Sequence, residues 1–561
     1  MPIGDVTTGT TTSGQVHFSG LGSGTDFDTL IDKLVEVEQS RVKTYQTWKQ
    51  SWLDKNDAFK ALNSQMLTLR TSLQGMDTIG EFLKKSANSS NSSVLTATAG
   101  GDAESGTITY QVAQLAKNKT MVTSTGYASL TQDVNSLAVD AKFTYTYKGV
   151  TVSNAIPATA SLRDLVNIIN ANPANKGVRA TTVYDGSKYY LELKGMDTGE
   201  AASLVVSGAT TLPGFLQGNF DVTQANQDAK LKINGWPLSN AYISRPTNVV
   251  SDVVTGLTLT LKSSGAGTVA VETDVDAVVE NVRNFVTQVN TVRKMIKDLT
   301  KVDTTTKEGS LLTGNYGLQI IGTIMNNITA NPGIGFDRTV DKYISLSPLG
   351  LSTDATEGSA TQGQILLDED RLRQALASDA AAVGAIFSAT YAGSTDSSDI
   401  SYNSYIQGIS KPGTYTVNYT VAGGKLASVT IDGHPATFNS NTGVITGGAG
   451  YPEAGIVIQV NRLVNGSYSH HVNLRQGKTG ELVDELADLT NAQSGPLNVL
   501  QKNYNTIADN IQKKIDNENK RITQMEQHLR DRFSRLDTLL GKYDALQNSL
   551  KSQIAQLGSS S

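Results

Sequence analysis

Apolar residues recur every three or four positions at both ends of this chain, whereas most of the middle alternates over short β-branched runs between Gly, Asn and Asp. Near the start, Leu30, Leu34, Val37, Tyr45, Trp48, Trp52, Phe59, Leu62, Met66, Leu69 and Leu73 are assigned to one stripe, because a helix returns to the same face every three to four residues. Near the end, Ile522, Met525, Leu529, Phe533, Leu536, Leu540, Tyr543, Leu546, Leu550, Ile554 and Leu557 repeat the pattern. Stripes this narrow need a second helix to cover them, so the two ends are expected to pair with each other or with a partner chain.

Thr25 with Asp28 forms a capping-box pattern, which starts the first helix, and Gly75 ends it. The run SANSSNSS, Ser86 to Ser93, has linker composition. Beyond it, Asp185-Gly186, Asn234-Gly235, Asp432-Gly433 and Asn465-Gly466 each stand between β-prone runs in the manner of a tight hairpin. A helical block intervenes, with Val275, Val278, Val282, Phe285, Val289, Val292, Ile296 and Leu299 in step and Thr273 with Asp276 as its cap. Leu311 to Ile328 and Asp368 to Phe387 also read as helices. From Pro496 to Leu557 an unbroken helix would reach roughly 90 Å. Its stripe thins at Gln512 to Arg521, where Ile515 alone is apolar, so that stretch reads either as a solvated crossing or as an ordinary exposed face.

These patterns predict an α+β multidomain fold, a terminal α-helical coiled-coil stalk and helical bundle with inserted antiparallel β head domains. The expected divisions are a disordered export leader 1–25, a leg helix 26–75, β domains 88–272, a helical bundle domain 273–400, a further β insertion 401–475, a return to the bundle 476–521, and a C-terminal leg helix 522–561.

Composition narrows the function. With 47 basic against 52 acidic residues, the chain has no general field for nucleic acid or anionic membrane. Zero cysteines exclude disulfides, thiol nucleophiles and Cys-ligated metals. No Lys or Arg precedes Lys33, and residues 1 to 25 hold 15 Gly, Ser or Thr, so a cleaved secretory signal is not expected. The charge-free run Leu311 to Phe336 is interrupted by Asn315, Gln319, Asn326, Asn327, Asn331 and Pro332, too polar for a lipid span.

Candidate chemistry fails on context. Gly20, Gly22 and Gly24 lack the preceding strand and spacing of a dinucleotide loop, and Gly477-Lys478-Thr479 has Val472 where a phosphate loop needs Gly. His470 and His471 are adjacent, hence on opposite faces of a strand. Asp368, Glu369 and Asp370 stand where acidic residues favour a helix start. Trp48 and Trp52 read first as packing residues and second as contacts for another chain's helix. No nucleophile, paired-carboxylate or metal constellation stands out, so a non-enzymatic scaffold or binding protein without cofactors is expected.

Longer strings carry a resemblance. HFSGLGSGTDFDTLIDKLVEVEQSRV (His17 to Val42) resembles the N-terminal signature of the bacterial flagellar filament cap family, hook-associated protein 2. Ser161 to Val206 is similar to the flagellin hook IN motif found in that family. Ala229 to Val269, Leu349 to Leu376 and Ala381 to Ser388 resemble the family's C-terminal region, in order. Ser401 to Leu474 looks like an additional insertion, and Arg41 and Lys55 replace apolar residues usual on the N-terminal stripe.

The resemblance implies an extracellular homo-oligomer, commonly a pentamer, at the distal tip of the flagellar filament, which retains exported flagellin while it folds into place. Implied partners are its own copies, flagellin, the flagellar export apparatus and an export chaperone, with host or environmental glycans in an adhesive role. Leu30, Leu34, Val37, Trp48, Trp52, Phe59, Ile522, Met525, Leu529, Leu536, Leu540, Leu550 and Ile554 are the candidates for leg pairing or for flagellin and subunit contact. Competing readings are a hook–filament junction protein, a secreted surface adhesin and a carbohydrate-active enzyme.

Overall fold

A computed structural model describes residues 27–303 and 306–558, with side chains to residue 555. Its helices are α1 (Phe27–Gln74), α2 (Ile79–Phe82), α3 (Leu162–Ala171), α4 (Val275–Thr300), α5 (Tyr316–Ala330), α6 (Glu369–Ser388), α7 (Lys478–Leu489) and α8 (Pro496–Gly558). The expected cap at Thr25 lies outside the described residues, and α1 stops one residue before Gly75. Two compact units divide the chain: 1–71, 288–327 and 482–561 form one, and 72–287 with 328–481 the other.

The first unit is helical. Phe59, Leu62, Met66 and Leu69 of α1, Val289 and Val292 of α4, Leu318, Ile321 and Met325 of α5, and Leu497 and Tyr504 of α8 are buried. Tyr504 joins α8 to α1 and to the residue just ahead of α5: its ring stands 5.1 Å from that of Trp52 and 5.5 Å from that of Phe59, and Asn315 donates to its hydroxyl at 2.8 Å. Gly317 lets α5 approach α8, since a methyl group there would sit 3.1 Å from Leu500 Cδ1.

Helix α8 runs unbroken for 63 residues. The stretch Gln512 to Arg521 is not a solvated crossing. Ile511 and Ile515 are buried in one cluster with Ile31, Val35, Val42 and Ile522, so the contact with α1 continues straight through it. One isoleucine per two turns suffices there because polar neighbours beside it pair across the helices.

The second unit holds three β cores, and every strand pair in them is antiparallel. In the first core, strands Lys85–Ser89, Gly265–Thr273, Gly106–Gln114, Ala229–Ile233 and Ile243–Arg245 lie side by side in that order. The run read as a linker therefore begins with a strand, Lys85 pairing with Thr273 and Ser89 with Val269. Its Ser and Asn content masked a partner about 180 residues away, and tertiary pairing overrode local propensity. The second core, between residues 120 and 224, packs α3 on two small sheets; Ser161 and Asp164 make a reciprocal capping box at its start. The third spans Thr390–Thr395 to Gly466–Gln476, so its outer strand begins ahead of Ser401.

Three of the four expected hairpins form. At Asn234-Gly235 and Asp432-Gly433 both residues adopt positive φ, as a two-residue turn between twisted strands requires. Asp185-Gly186 opens a four-residue turn in which Asp185 Oδ1 accepts from the backbone N–H groups of Ser187 and Lys188. Asn465-Gly466 is not a hairpin: Val457–Val460 ends in one sheet and Gly466–Gln476 begins in another. Helix α4 is capped by Asp274, whose carboxylate accepts from Ala277 N at 3.0 Å, and not by Thr273. Asp368 caps α6 through the N–H of Arg371, the role its position favoured.

Candidate functional site

The two terminal helices form an antiparallel seam. Phe27 stacks on Phe533 at 5.0 Å, Arg530 reaches Asp28 at 2.8 Å, Arg521 pairs with Glu38, Arg41 with Glu518 at 3.5 Å, Lys49 with Gln512 at 2.7 Å and Asn56 with Asn505 at 2.8 Å. Each step up α1 is matched by a step down α8. Between these pairs lie Ile31, Val35, Val42, Ile511, Ile515 and Ile522, flanked by Tyr45, Trp52, Met525, Leu529 and Phe533. Apolar burial carries the stability, at about 1.5–3 kcal/mol for each fully buried aliphatic side chain. The ion pairs are largely exposed and contribute about 1 kcal/mol or less each, so their effect is mainly on alignment. Hydrogen bonding from Arg521 holds the Glu518 carboxyl below its ordinary range.

The phase of this seam differs from the stripe read in the sequence. Leu30 is 48% exposed while Ile31 beside it is 1% exposed. Leu34, Val37 and Trp48 are likewise exposed, on a face adjoining the seam. The seam residues Ile31, Val35, Glu38, Val42, Tyr45, Lys49 and Trp52 keep an unbroken 4/3 spacing, whereas the stripe that began at Leu30 had to skip from Val37 to Tyr45. Polar residues at 38 and 49 concealed the better phase.

Of the other candidates, Trp52, Phe59, Ile522, Met525 and Leu529 lie in or against the helical core, and Leu540 is half-buried. Leu536, Leu550 and Ile554 are exposed, with Leu539, Tyr543 and Leu546 beside them. Past Phe533, α8 extends beyond the described start of α1. Arg41 lies beside the seam, and the Lys55 ammonium stands 4.6 Å over the Trp52 ring. Among the described residues, the α1–α8 seam is filled, while Leu30, Leu34 and Val37 on α1 and Leu536, Leu550 and Ile554 on α8 keep much of their apolar surface exposed.

Nothing in this arrangement resembles a catalytic centre. Among the described residues no group of three or more His, Asp or Glu is placed to hold a metal ion, and no helix is long and apolar enough to cross a membrane.

Three family models match in chain order: the flagellar hook-associated protein 2 N-terminus over residues 23–119, the flagellin hook IN motif over 138–195, and the flagellar hook-associated protein 2 C-terminus over 226–545. The last covers more than half of the chain. This chain belongs to the flagellar hook-associated protein 2 family. It is 26% identical to flagellar hook-associated protein 2 of Escherichia coli K12 over 395 residues, 65% of this chain and 79% of that protein. Against A-type flagellar hook-associated protein 2 of Pseudomonas aeruginosa the identity is 27% over 410 residues, 66% of this chain and 80% of the relative. A crystal structure of the flagellar cap protein FliD D1-D2-D3 domains from Escherichia coli aligns with 59% of this chain and 90% of its own, at 26% identity and a TM-score of 0.48. The junction-protein and adhesin readings find no support in these matches.

The N-terminal model begins just ahead of α1 and the C-terminal one reaches to residue 545 within α8, so both partners of the seam are family features. The IN motif falls in the second β core. Strands Thr390–Thr395 to Gly466–Gln476 lie inside the C-terminal match.

Proposed function

We propose that this protein caps the distal end of a bacterial flagellar filament, as a homo-oligomer that retains exported flagellin and promotes its folding and addition to the filament. The observation that carries the reading is the ordered match of N-terminal, IN and C-terminal family models along the chain. It acts outside the cell, without enzymatic chemistry, and reaches the tip through the flagellar export route, residues 1–25 serving as the export leader and an export chaperone guarding the chain. Its β cores, running from strand Lys85–Ser89 to Gly265–Thr273 and from Thr390–Thr395 to Gly466–Gln476, form the head, and the helices at 26–75 and 522–561 the legs.

Within that role, the seam sets the alignment of the legs, and the uncovered faces at Leu30, Leu34, Val37 and Trp48 and at Leu536, Leu550 and Ile554 contact flagellin or neighbouring cap subunits. Apolar side chains repeating at helical spacing beside a filled helix pair favour a further helix as partner. The decisive experiment is genetic. A strain lacking this chain is expected to shed unpolymerised flagellin into the medium and to grow short filaments or none, with full-length protein restoring them. Normal filaments in the deletion strain would refute the cap role.

A further inference from the structure

Two of the three most exposed large apolar side chains described in the β unit lie together at the hairpin tip. Trp236 is 62% and Leu238 77% exposed. Neither sits on a loose loop. Asn234 and Gly235 turn the chain with positive φ, and the backbone N–H and C=O of Ile233 pair with those of Trp236. Asn234 is tied to the neighbouring strand twice, its N–H donating to Thr109 O at 2.9 Å and its Oδ1 accepting from Thr109 N at 2.8 Å. On the far side the Lys232 ammonium bonds Ser239 O and stands 5.1 Å over the Tyr242 ring. An aromatic and an aliphatic side chain are thus held out into solvent by a braced tip, at a cost in hydrophobic free energy that folding alone does not explain.

Beside this knob is a cavity of about 590 Å³. Asn234, Asp102 and Glu104 belong to its polar lining, and Ile108, Val253 and Val254 supply apolar side chains to it. The strand that leads into the knob carries the opposite charge, at Lys230 and Lys232. Knob and socket therefore adjoin on one surface, apolar to apolar and basic to acidic.

We propose that the Trp236–Leu238 knob docks into the Ile108–Val253–Val254 socket of a second copy of this chain, and that the contact is two-fold, each copy lending its knob to the other. Adjacency is what selects the symmetry: a two-fold contact uses the same patch on both copies and so needs both halves of the match side by side. Braced aromatic anchors entering pockets are where binding energy concentrates. The proposal stands apart from the filament-cap reading, since it concerns purified protein and rests on none of the family matches.

A chain without cysteine makes the test clean. Full-length Leu238→Cys and Val254→Cys proteins, purified separately and then mixed under mild oxidation, are expected to give a disulfide-linked dimer far in excess of that from either protein alone. Trp236→Ala should weaken self-association in sedimentation equilibrium by roughly tenfold or more, with an unchanged far-UV spectrum. Leu238→Glu, at a site too exposed to affect folding, should do the same. Equal cross-linking in the mixed and single samples, or wild-type sedimentation by both substituted proteins, would overturn the contact. Loss of the mixed disulfide on adding flagellin monomer would also overturn it, by assigning the knob to that partner.

Discussion

The side-chain amide of Asn56 donates to the side-chain oxygen of Asn505 at 2.8 Å, joining helices whose residues stand 449 apart in sequence. Asn56 is buried and its own side-chain oxygen has no partner among the described residues, while Asn505 is exposed. An aliphatic residue would pack there with less loss, but an amide is satisfied in only one alignment of α1 against α8. We predict that Asn56→Leu leaves helical stability unchanged or raises it by about 1–2 kcal/mol, and that Asn56→Asp lowers it by about 3–5 kcal/mol by burying a charge. Urea unfolding followed at 222 nm measures both, and a marked loss of stability in the leucine variant would contradict this account.

The phase of the seam separates stability from assembly. Ile31→Asp is expected to cost several kcal/mol, whereas Leu30→Asp, one residue away and half exposed, should stay within about 0.5 kcal/mol. In cells, Leu30→Asp combined with Leu34→Asp and Val37→Asp should still yield a folded, exported protein that fails to retain flagellin. Equal thermal stability for the two single variants would place the seam elsewhere.

Acid should loosen the seam. Arg521 depresses the folded-state Glu518 pKa, so the unfolded chain takes up protons more readily than the folded one. The contribution is complete above the ordinary glutamate value of about 4.3 and disappears as pH falls through the lower folded value. Removing Arg521 by Arg521→Gln should flatten this part of the pH–stability curve, which thermal melts between neutral and strongly acidic pH would reveal. An identical curve for both proteins would deny the coupling.

Gly101 faces Gly80 so closely that a methyl group on it would lie 1.7 Å from the Gly80 carbonyl oxygen. Gly101→Ala must therefore move backbone, and a loss on the order of 3 kcal/mol is expected from the β unit. Gly186→Ala is a useful comparison, for its added methyl meets nothing within 4 Å and only positive φ opposes it. Calorimetry that ranked the second change as the more damaging would contradict the packing argument.

Strand Lys85–Ser89 sets where the first β core begins. A fragment of residues 84–274 should be soluble and rich in β structure, whereas one starting at residue 91 leaves strand Gly265–Thr273 without its outer neighbour. The shorter piece should aggregate or melt at lower temperature, by light scattering and circular dichroism. Matching behaviour would mean that the strand is dispensable.

What could be read from the sequence was local. Asn234-Gly235 and Asp432-Gly433 announce hairpins because Asn, Asp and Gly tolerate the positive φ such turns demand. Lys148-Gly149 makes the same turn with φ of 49° and 79°, although lysine gives no such signal, and Gly423-Gly424 turns the chain likewise. Asn465-Gly466 has the right residues in the wrong place, at a passage between sheets. The existence of the terminal helix pair follows from periodicity, as do Tyr45, Trp52, Ile522, Met525, Leu529 and Phe533 in its contact, but the phase at Ile31, Val35 and Val42 does not. Glu38 and Lys49 occupy positions where an apolar residue was sought, and Leu30, Leu34 and Val37 offered an equally regular alternative. Which face is filled is decided by the partner helix, and no single helix encodes that alone.

Because α1 is made well before its partner α8, the seam cannot close until late in synthesis. The β cores between them complete their own pairings earlier, while α1 waits through more than four hundred residues of translation with Ile31, Val35 and Val42 uncovered. A new chain is thus sticky along an early-made ribbon, and any cell that makes it must either shield that ribbon or deliver the chain before the two helices meet.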